Sequence, residues 1–288
     1  MLSLFLAIVM VFSVMIVPGT SALGAQQATT TDIGDVTDQT EDGNILIFQV
    51  GGQEVRVELC TPRTVRVQLS LDGPDGYRPE DPQYYMVQKN EWDPVEKTVT
   101  EEDGVVKIRT SEMEIRVQKS PLRIGMYDLE GNLLSKDADD QGLYWSDDGT
   151  RGVKKVEGTQ NAGGIFGFGS GDHGRRSNLN RYDQDFTEFS MSHGRVIAPF
   201  FMSTVGYGIF LNTIEKDTTF FKQGGGFETQ GYLDYYFMYG PDFKTILNEY
   251  AEITGRMELY GKWAYGFMLS KYGNDNATQA EFLEWIHR

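Results

Sequence analysis

The chain has 288 residues, 40% of them hydrophobic and 12% aromatic, which is enough to build a core and excludes global disorder. Its 26 Lys and Arg against 42 Asp and Glu leave a formal charge of −16 with no strongly basic window, so a nucleic-acid partner is excluded. The single cysteine, Cys60, excludes an intrachain disulfide framework and a cysteine-based zinc site, while 33 glycines suit the many tight turns of an all-β chain.

Leu2 to Val17 is an apolar run, broken by Pro18-Gly19 and followed by the small residues Thr20 to Ala25. It lacks a basic start, and it falls short of the roughly 20 apolar residues of a membrane span, so residues 1–25 read as a cleaved secretory signal. The expected location is extracellular; the alternative is a retained N-terminal membrane anchor. Residues 26–43, rich in Thr, Gln and Asp, read as an acidic flexible leader.

From residue 44 the pattern turns to period two. Ile45 to Phe48 and Val55 to Leu59 flank the hairpin signal Gly51-Gly52, and Val65 to Leu69 repeats the alternation after Pro62. Val105 to Ile108, Met113 to Val117 and Leu122 to Tyr127 continue it. Ile197 to Met202, Tyr207 to Leu211 and Leu233 to Tyr239 are more continuously apolar. Strands joined by short turns, without a helix among them, predict a large antiparallel β-sandwich over residues 44–258. Cys60 ends one of these runs and reads as a small buried hydrophobe.

Gly240-Pro241-Asp242 opens a helix whose apolar stripe is Phe243, Ile246, Leu247, Tyr250 and Ile253, with Thr254-Gly255 at its exit. A strand-like run, Trp263 to Leu269, follows. Thr278 to Glu281 then forms a capping box ahead of a helix carrying Phe282, Trp285 and Ile286. Residues 259–288 therefore read as the first βα unit of another domain.

Three constellations carry bland readings. Gly163 to Asp172 is glycine-rich, but no Lys-Ser/Thr and no helix follows, so it reads as a turn beside an edge strand. Asp137 to Asp148 has calcium-loop spacing without flanking helices and reads as a solvated turn. His173, His193 and His287 have no metal-ligand spacing. No metal and no cofactor is expected.

Several ordered motifs resemble glycoside hydrolase family 31. They are Thr61-Pro62-Arg63-Thr64-Val65-Arg66-Val67, Ala198 to Asn212, Leu233 to Pro241 leading to Thr254-Gly255-Arg256, Lys262 to Phe267 and Ser270-Lys271-Tyr272-Gly273. The resemblance implies a galactose-mutarotase-like sandwich followed by a helix and the start of a (β/α)8 barrel. It also implies a retaining α-glycosidase activity whose two catalytic Asp residues are expected beyond Arg288, leaving no catalytic residue in this chain. Asn180-Arg181 with Asp183 is similar to the family's sugar-contacting loop, with Tyr182 and Gly167-Phe168-Gly169-Ser170 departing from its pattern. Tyr272 matches an aromatic that lines the sugar subsite. The implied substrate-binding residues are Asn180, Asp183 and Tyr272, and the implied partners are an oligosaccharide or α-glycoside and the barrel. The other function class is a non-catalytic carbohydrate-binding or assembly sandwich.

Overall fold

The computed structural model describes residues 30–77, 86–140, 142–146, 152–155, 163–169, 186–187, 198–213, 219–220, 226–230, 232–266 and 278–287. Among them the largest sheet has eight antiparallel strands. From one edge to the other these are Asp38–Asp42, Ile45–Val50, Gln53–Leu59, Thr64–Ser70, Leu233–Tyr239, Tyr207–Leu211, Phe200–Ser203 and Ile165–Gly167. A five-stranded antiparallel sheet is built from Thr98–Glu102, Val105–Arg109, Met113–Lys119, Leu122–Asp128 and Leu133–Lys136. Shorter strands, among them Thr30–Asp32, Tyr144–Ser146, Gly152–Lys155 and Phe227–Gln230, form a third sheet.

Alternation sends every second side chain of the large sheet inward, and register lines them up in rows. Leu46, Val57, Val67, Tyr235 and Leu211 are successive cross-strand partners. Leu59, Val65, Phe237, Ile209 and Phe201 form the next row. These rows share one apolar cluster with Val106, Ile108, Ile115, Val117, Ile124 and Met126 of the five-stranded sheet. Burial of each such side chain is worth about 1.5–3 kcal/mol, so this shared layer is what makes the two sheets a sandwich.

The opposite face of the large sheet carries a smaller cluster under helix α1, Phe243–Thr254. Asp242 caps the helix, its Oδ1 accepting from the amides of Lys244 and Thr245 at 2.9 and 3.0 Å. Phe200 stacks on Tyr250 with ring centroids 4.1 Å apart. The helix lies so close that a Cβ on Gly208 would stand 2.5 Å from Ile246 Cγ2, so only glycine fits there.

The expected strands, the hairpin at Gly51-Gly52, both helices and buried Cys60 are observed. Four details differ. First, the stretch 26–43 is not wholly a flexible leader, because Thr30–Asp32 and Asp38–Asp42 are strands. Asp38–Asp42 pairs with Ile45–Val50 through its backbone while its side chains stay largely exposed, so an edge strand forms here without an apolar period. Second, the start of the expected strand Trp263 to Leu269 is a 3-10 turn, Lys262–Tyr265. A barrel strand exists only by pairing with its neighbours, and none of the described strands pairs with this run. Third, Leu247 faces solvent. Fourth, Glu249 is buried in its place, accepting hydrogen bonds from Thr61 Oγ1 and Thr64 Oγ1 at 2.7 Å each.

Glu249 thus clamps the helix to the turn between Gln53–Leu59 and Thr64–Ser70. Glu249→Ala leaves the buried Thr64 hydroxyl and the half-buried Thr61 hydroxyl without their acceptor and is expected to cost about 1–3 kcal/mol, whereas Glu249→Gln keeps an acceptor and most of the stability. Urea unfolding midpoints check this, and equal losses in both variants would exclude the clamp.

Candidate functional site

Three strands bring a polar patch together on the outer face of the large sheet. One row runs Ile45, Glu58, Arg66, Tyr236, Phe210 and Phe200; the next runs Ile47, Arg56, Gln68 and Asp234. The apolar end of the first row lies under α1 and the charged end beyond it.

Asp234 is 1% exposed. Its two oxygens accept from Arg66 Nε and Nη2 at 2.8 and 2.7 Å, and Asn212 Nδ2 donates to Oδ2 at 2.7 Å. Arg66 also reaches Glu58 at 3.8 Å and lies 5.2 Å from the centroid of the Tyr236 ring. Beside this group Arg56 stacks on Tyr77 at 4.0 Å, and the Tyr77 hydroxyl donates to Glu54.

Burial pushes the Glu58 carboxyl above its ordinary value, with Arg66 and Arg56 opposing and Asp234 adding to the rise. Burial also raises the Tyr236 phenol, as does the Asp234 charge. Asp234 is buried with both oxygens hydrogen-bonded, so it holds the sheet together and is not open to a substrate. A retaining glycosidase needs two reacting carboxyl groups about 5–5.5 Å apart, one free to attack and one to exchange a proton. The patch supplies a brace, not that pair.

The expected sugar-binding residues Asn180, Asp183 and Tyr272 lie outside the described residues, as do His173 and His193. The segment leading toward the first two is described as far as Gly169. Ile165–Gly167 is itself an edge strand, paired with Phe200–Ser203, where the glycine-rich stretch is expected to be a turn beside one. Gly167 sits at φ 141°, and a Cβ there would meet the Phe200 carbonyl oxygen at 2.4 Å. Phe168 follows at φ 63°, buried against Phe201. Asp137 of the calcium-like spacing is spent on structure, its Oδ2 accepting from the Ile124 amide at 2.8 Å.

A second surface emerges past α1. Met257, Leu259, Tyr260, Trp263 and Tyr265 are all exposed, Leu259 at 91% and Trp263 at 77%. Five large apolar side chains within nine residues mark a surface built to be covered. Sequence reasoning flagged Trp263 but missed the Arg66–Asp234 pair. Its only signal was one charge in each of two strand runs, Arg66 in Val65 to Leu69 and Asp234 in Leu233 to Tyr239.

A protein-family profile described as the glycosyl hydrolase 31 N-terminal galactose mutarotase-like domain matches residues 54–218. An isomaltosyltransferase from Sporosarcina globispora is 29% identical over 202 residues, covering 63% of this chain and 18% of that protein. Alpha-glucosidase 2 from Bacillus thermoamyloliquefaciens is 25% identical over 277 residues, covering 90% of this chain and 33% of that one. Among solved structures, a GH31 dextranase from Flavobacterium johnsoniae complexed with isomaltotriose superposes with TM-score 0.68 at 28% identity, over 82% of this chain and 30% of its own. The chain therefore spans a third or less of each of these proteins.

Breaking the brace has a defined cost. Asp234→Ala leaves Arg66 mostly buried without its main counter-charge and is expected to lose about 3–5 kcal/mol, while Arg66→Met combined with Asp234→Leu recovers most of it. Denaturant unfolding of the single and double variants measures both. Glu58 adds a pH dependence. Its raised value means the folded state takes up a proton that the unfolded chain has already released, so stability falls as pH rises from the ordinary carboxylate value through the raised one. Glu58→Gln should flatten the unfolding midpoint across that window, and an unchanged profile would reassign the dependence to another group.

Proposed function

Since the chain belongs to the glycosyl hydrolase 31 family, we propose that it serves as the amino-terminal sandwich of an exported retaining α-glycosidase. The observation that carries this reading is the family match over residues 54–218, which takes in most of the large sheet and all of the five-stranded one. The likeness to a dextranase complexed with isomaltotriose supports an oligosaccharide or α-glycoside as substrate.

In this reading the sandwich positions sugar and the reacting carboxylates come from a (β/α)8 barrel beyond Arg288. Asn180 and Asp183 hydrogen-bond sugar hydroxyls. The Tyr272 ring lies against the apolar face of a pyranose, where an aromatic surface suits C–H groups. Positioning groups alone bind weakly and cannot split a glycosidic bond, because effective concentration multiplies the rate of a reacting pair that must be present. The exposed strip from Met257 to Tyr265 is the seat of the barrel. Its burial there removes from water an apolar surface that is otherwise open to self-association. The apolar run Leu2 to Val17 directs export and is removed afterwards.

The expected outcome is that the purified 288-residue chain hydrolyses no aryl α-glycoside. A longer polypeptide carrying the barrel releases the α-anomer first, read by NMR of the fresh product. In that enzyme Tyr272→Ala should lower kcat/KM roughly ten- to a hundredfold, a loss of about 1.4–2.7 kcal/mol. Secreted material should begin between Leu23 and Gln27 on amino-terminal sequencing. Turnover by the 288-residue chain alone, after removal of contaminating glycosidases, would overturn the division of labour.

A further inference from the structure

One end of the sandwich holds a cleft of about 870 Å³, within the roughly 300–1,000 Å³ range of small-molecule sites. Its floor is the turn after Gln53–Leu59, at Cys60 to Pro62, with Thr110 beside it. Its outer wall is the stretch from Lys89 to Lys97, which has neither helix nor strand.

An irregular wall of this length needs fastening, and it is fastened at three points. The amides of Gln88 and Lys89 donate to the Ile253 carbonyl at 2.8 and 3.3 Å. Asn44 donates to the Asp93 carbonyl at 2.8 Å and accepts from the Val95 amide at 2.9 Å. Lys97 Nζ donates to the Gly43 carbonyl at 2.6 Å and pairs with Glu41 at 3.0 Å. The wall is thus held in place before any ligand arrives, and a preformed site avoids the ordering cost of binding.

The lining sorts into committed and uncommitted groups. Lys97 is spent on the wall, and Arg109 is spent on Glu114 and the Leu129 carbonyl, each at 3.1 Å. Among the described residues, the carboxylates of Asp93 and Glu96 and the hydroxyl of Ser111 have no partner. Lys89 stands 4.6 Å over the Trp92 ring and 4.0 Å from Glu252. The unpartnered groups are therefore two carboxylates and one hydroxyl, beside a half-buried indole that lies under the Lys89 ammonium. Glu252, Glu41 and Glu114 offset the lining cations Lys89, Lys97 and Arg109, so Asp93 and Glu96 leave the cleft negative; that repels phosphates and other anions, as does the charge of −16 on the whole chain. Acceptors and donors interspersed around an aromatic ring fit a neutral ligand with many hydroxyls and apolar C–H faces.

We propose that this cleft binds a neutral oligosaccharide, with Trp92 as the apolar wall and Asp93, Glu96 and Ser111 as hydroxyl partners. Asp93 holds the wall only through its backbone carbonyl, so Asp93→Ala tests the site without loosening it.

Isomaltotriose titrated into the 288-residue chain, followed by the Trp92 indole N–H signal in a nitrogen–proton correlation spectrum, should give a saturable shift. Trp92→Phe identifies that signal and should weaken binding, read by calorimetry. Asp93→Ala should weaken it at least fivefold while leaving the urea midpoint unchanged. Absence of saturation up to about 50 mM would overturn the proposal, since binding that weak discriminates little. Binding that survives Asp93→Ala and Trp92→Phe but is lost in Asp183→Ala would also overturn it, and would place the sugar at the loop of the proposed glycosidase subsite instead. Loss in the cleft variants alone supports the cleft whatever the longer enzyme is found to hydrolyse.

Discussion

The strand Leu233–Tyr239 is covered on both faces, and a strand so placed can hold a charge only where a counter-charge is brought to it. Its odd positions, Leu233, Tyr235 and Phe237, enter the core between the two sheets. Its even positions Tyr236 and Met238 enter the second cluster under α1, and Asp234 is the even position left for a polar partner. Arg66 supplies that partner from the neighbouring strand in a two-bond fork, and Asn212 closes it from the other side. Slipping this strand by one residue would put Asp234 into the apolar core, so the ion pair also fixes the register of the sheet.

Because the register is fixed, the outer face divides into regions with different roles. The aromatic end takes α1, whose Glu249 hooks the turn at Thr61 and Thr64. That same turn floors the cleft beside Trp92, so helix, turn and cleft share one set of supports. Past the helix the chain exits with Met257, Leu259, Tyr260, Trp263 and Tyr265 in the open, a surface chemically unlike the hydrated acidic face elsewhere.

Much of the architecture was legible because it depends on local alternation. The runs Val55 to Leu59, Val65 to Leu69 and Met113 to Val117 announce half-buried strands, and Pro241-Asp242 announces a capped helix. What escaped depends on partners far away in the chain. Glu249 looks like an ordinary helix-surface acid until Thr64, 185 residues earlier, is placed against it. Asp38–Asp42 has no apolar period because an edge strand is held by its neighbour's backbone. The candidate site was legible differently: Asn180, Asp183 and Tyr272 came from motif likeness, since no spacing rule picks two polar residues and a tyrosine out of an acidic chain. The Lys89 to Lys97 wall was not legible at all, having no periodicity, and only its hydrogen bonds define it.

The pairing of Arg66 with Asp234 joins residues 168 positions apart. During synthesis at about 5–20 residues per second, the strand Thr64–Ser70 therefore waits on the order of ten to thirty seconds for its neighbour on that side. Its other side is occupied early by Gln53–Leu59, across a turn of four residues. For that interval the nascent sheet has a temporary edge, and edges invite pairing with other chains. Arg66 stands in the middle of that edge with its guanidinium not yet matched by Asp234. A charged side chain on an edge strand works against such pairing, so the residue that locks the finished sheet also suits its unfinished edge.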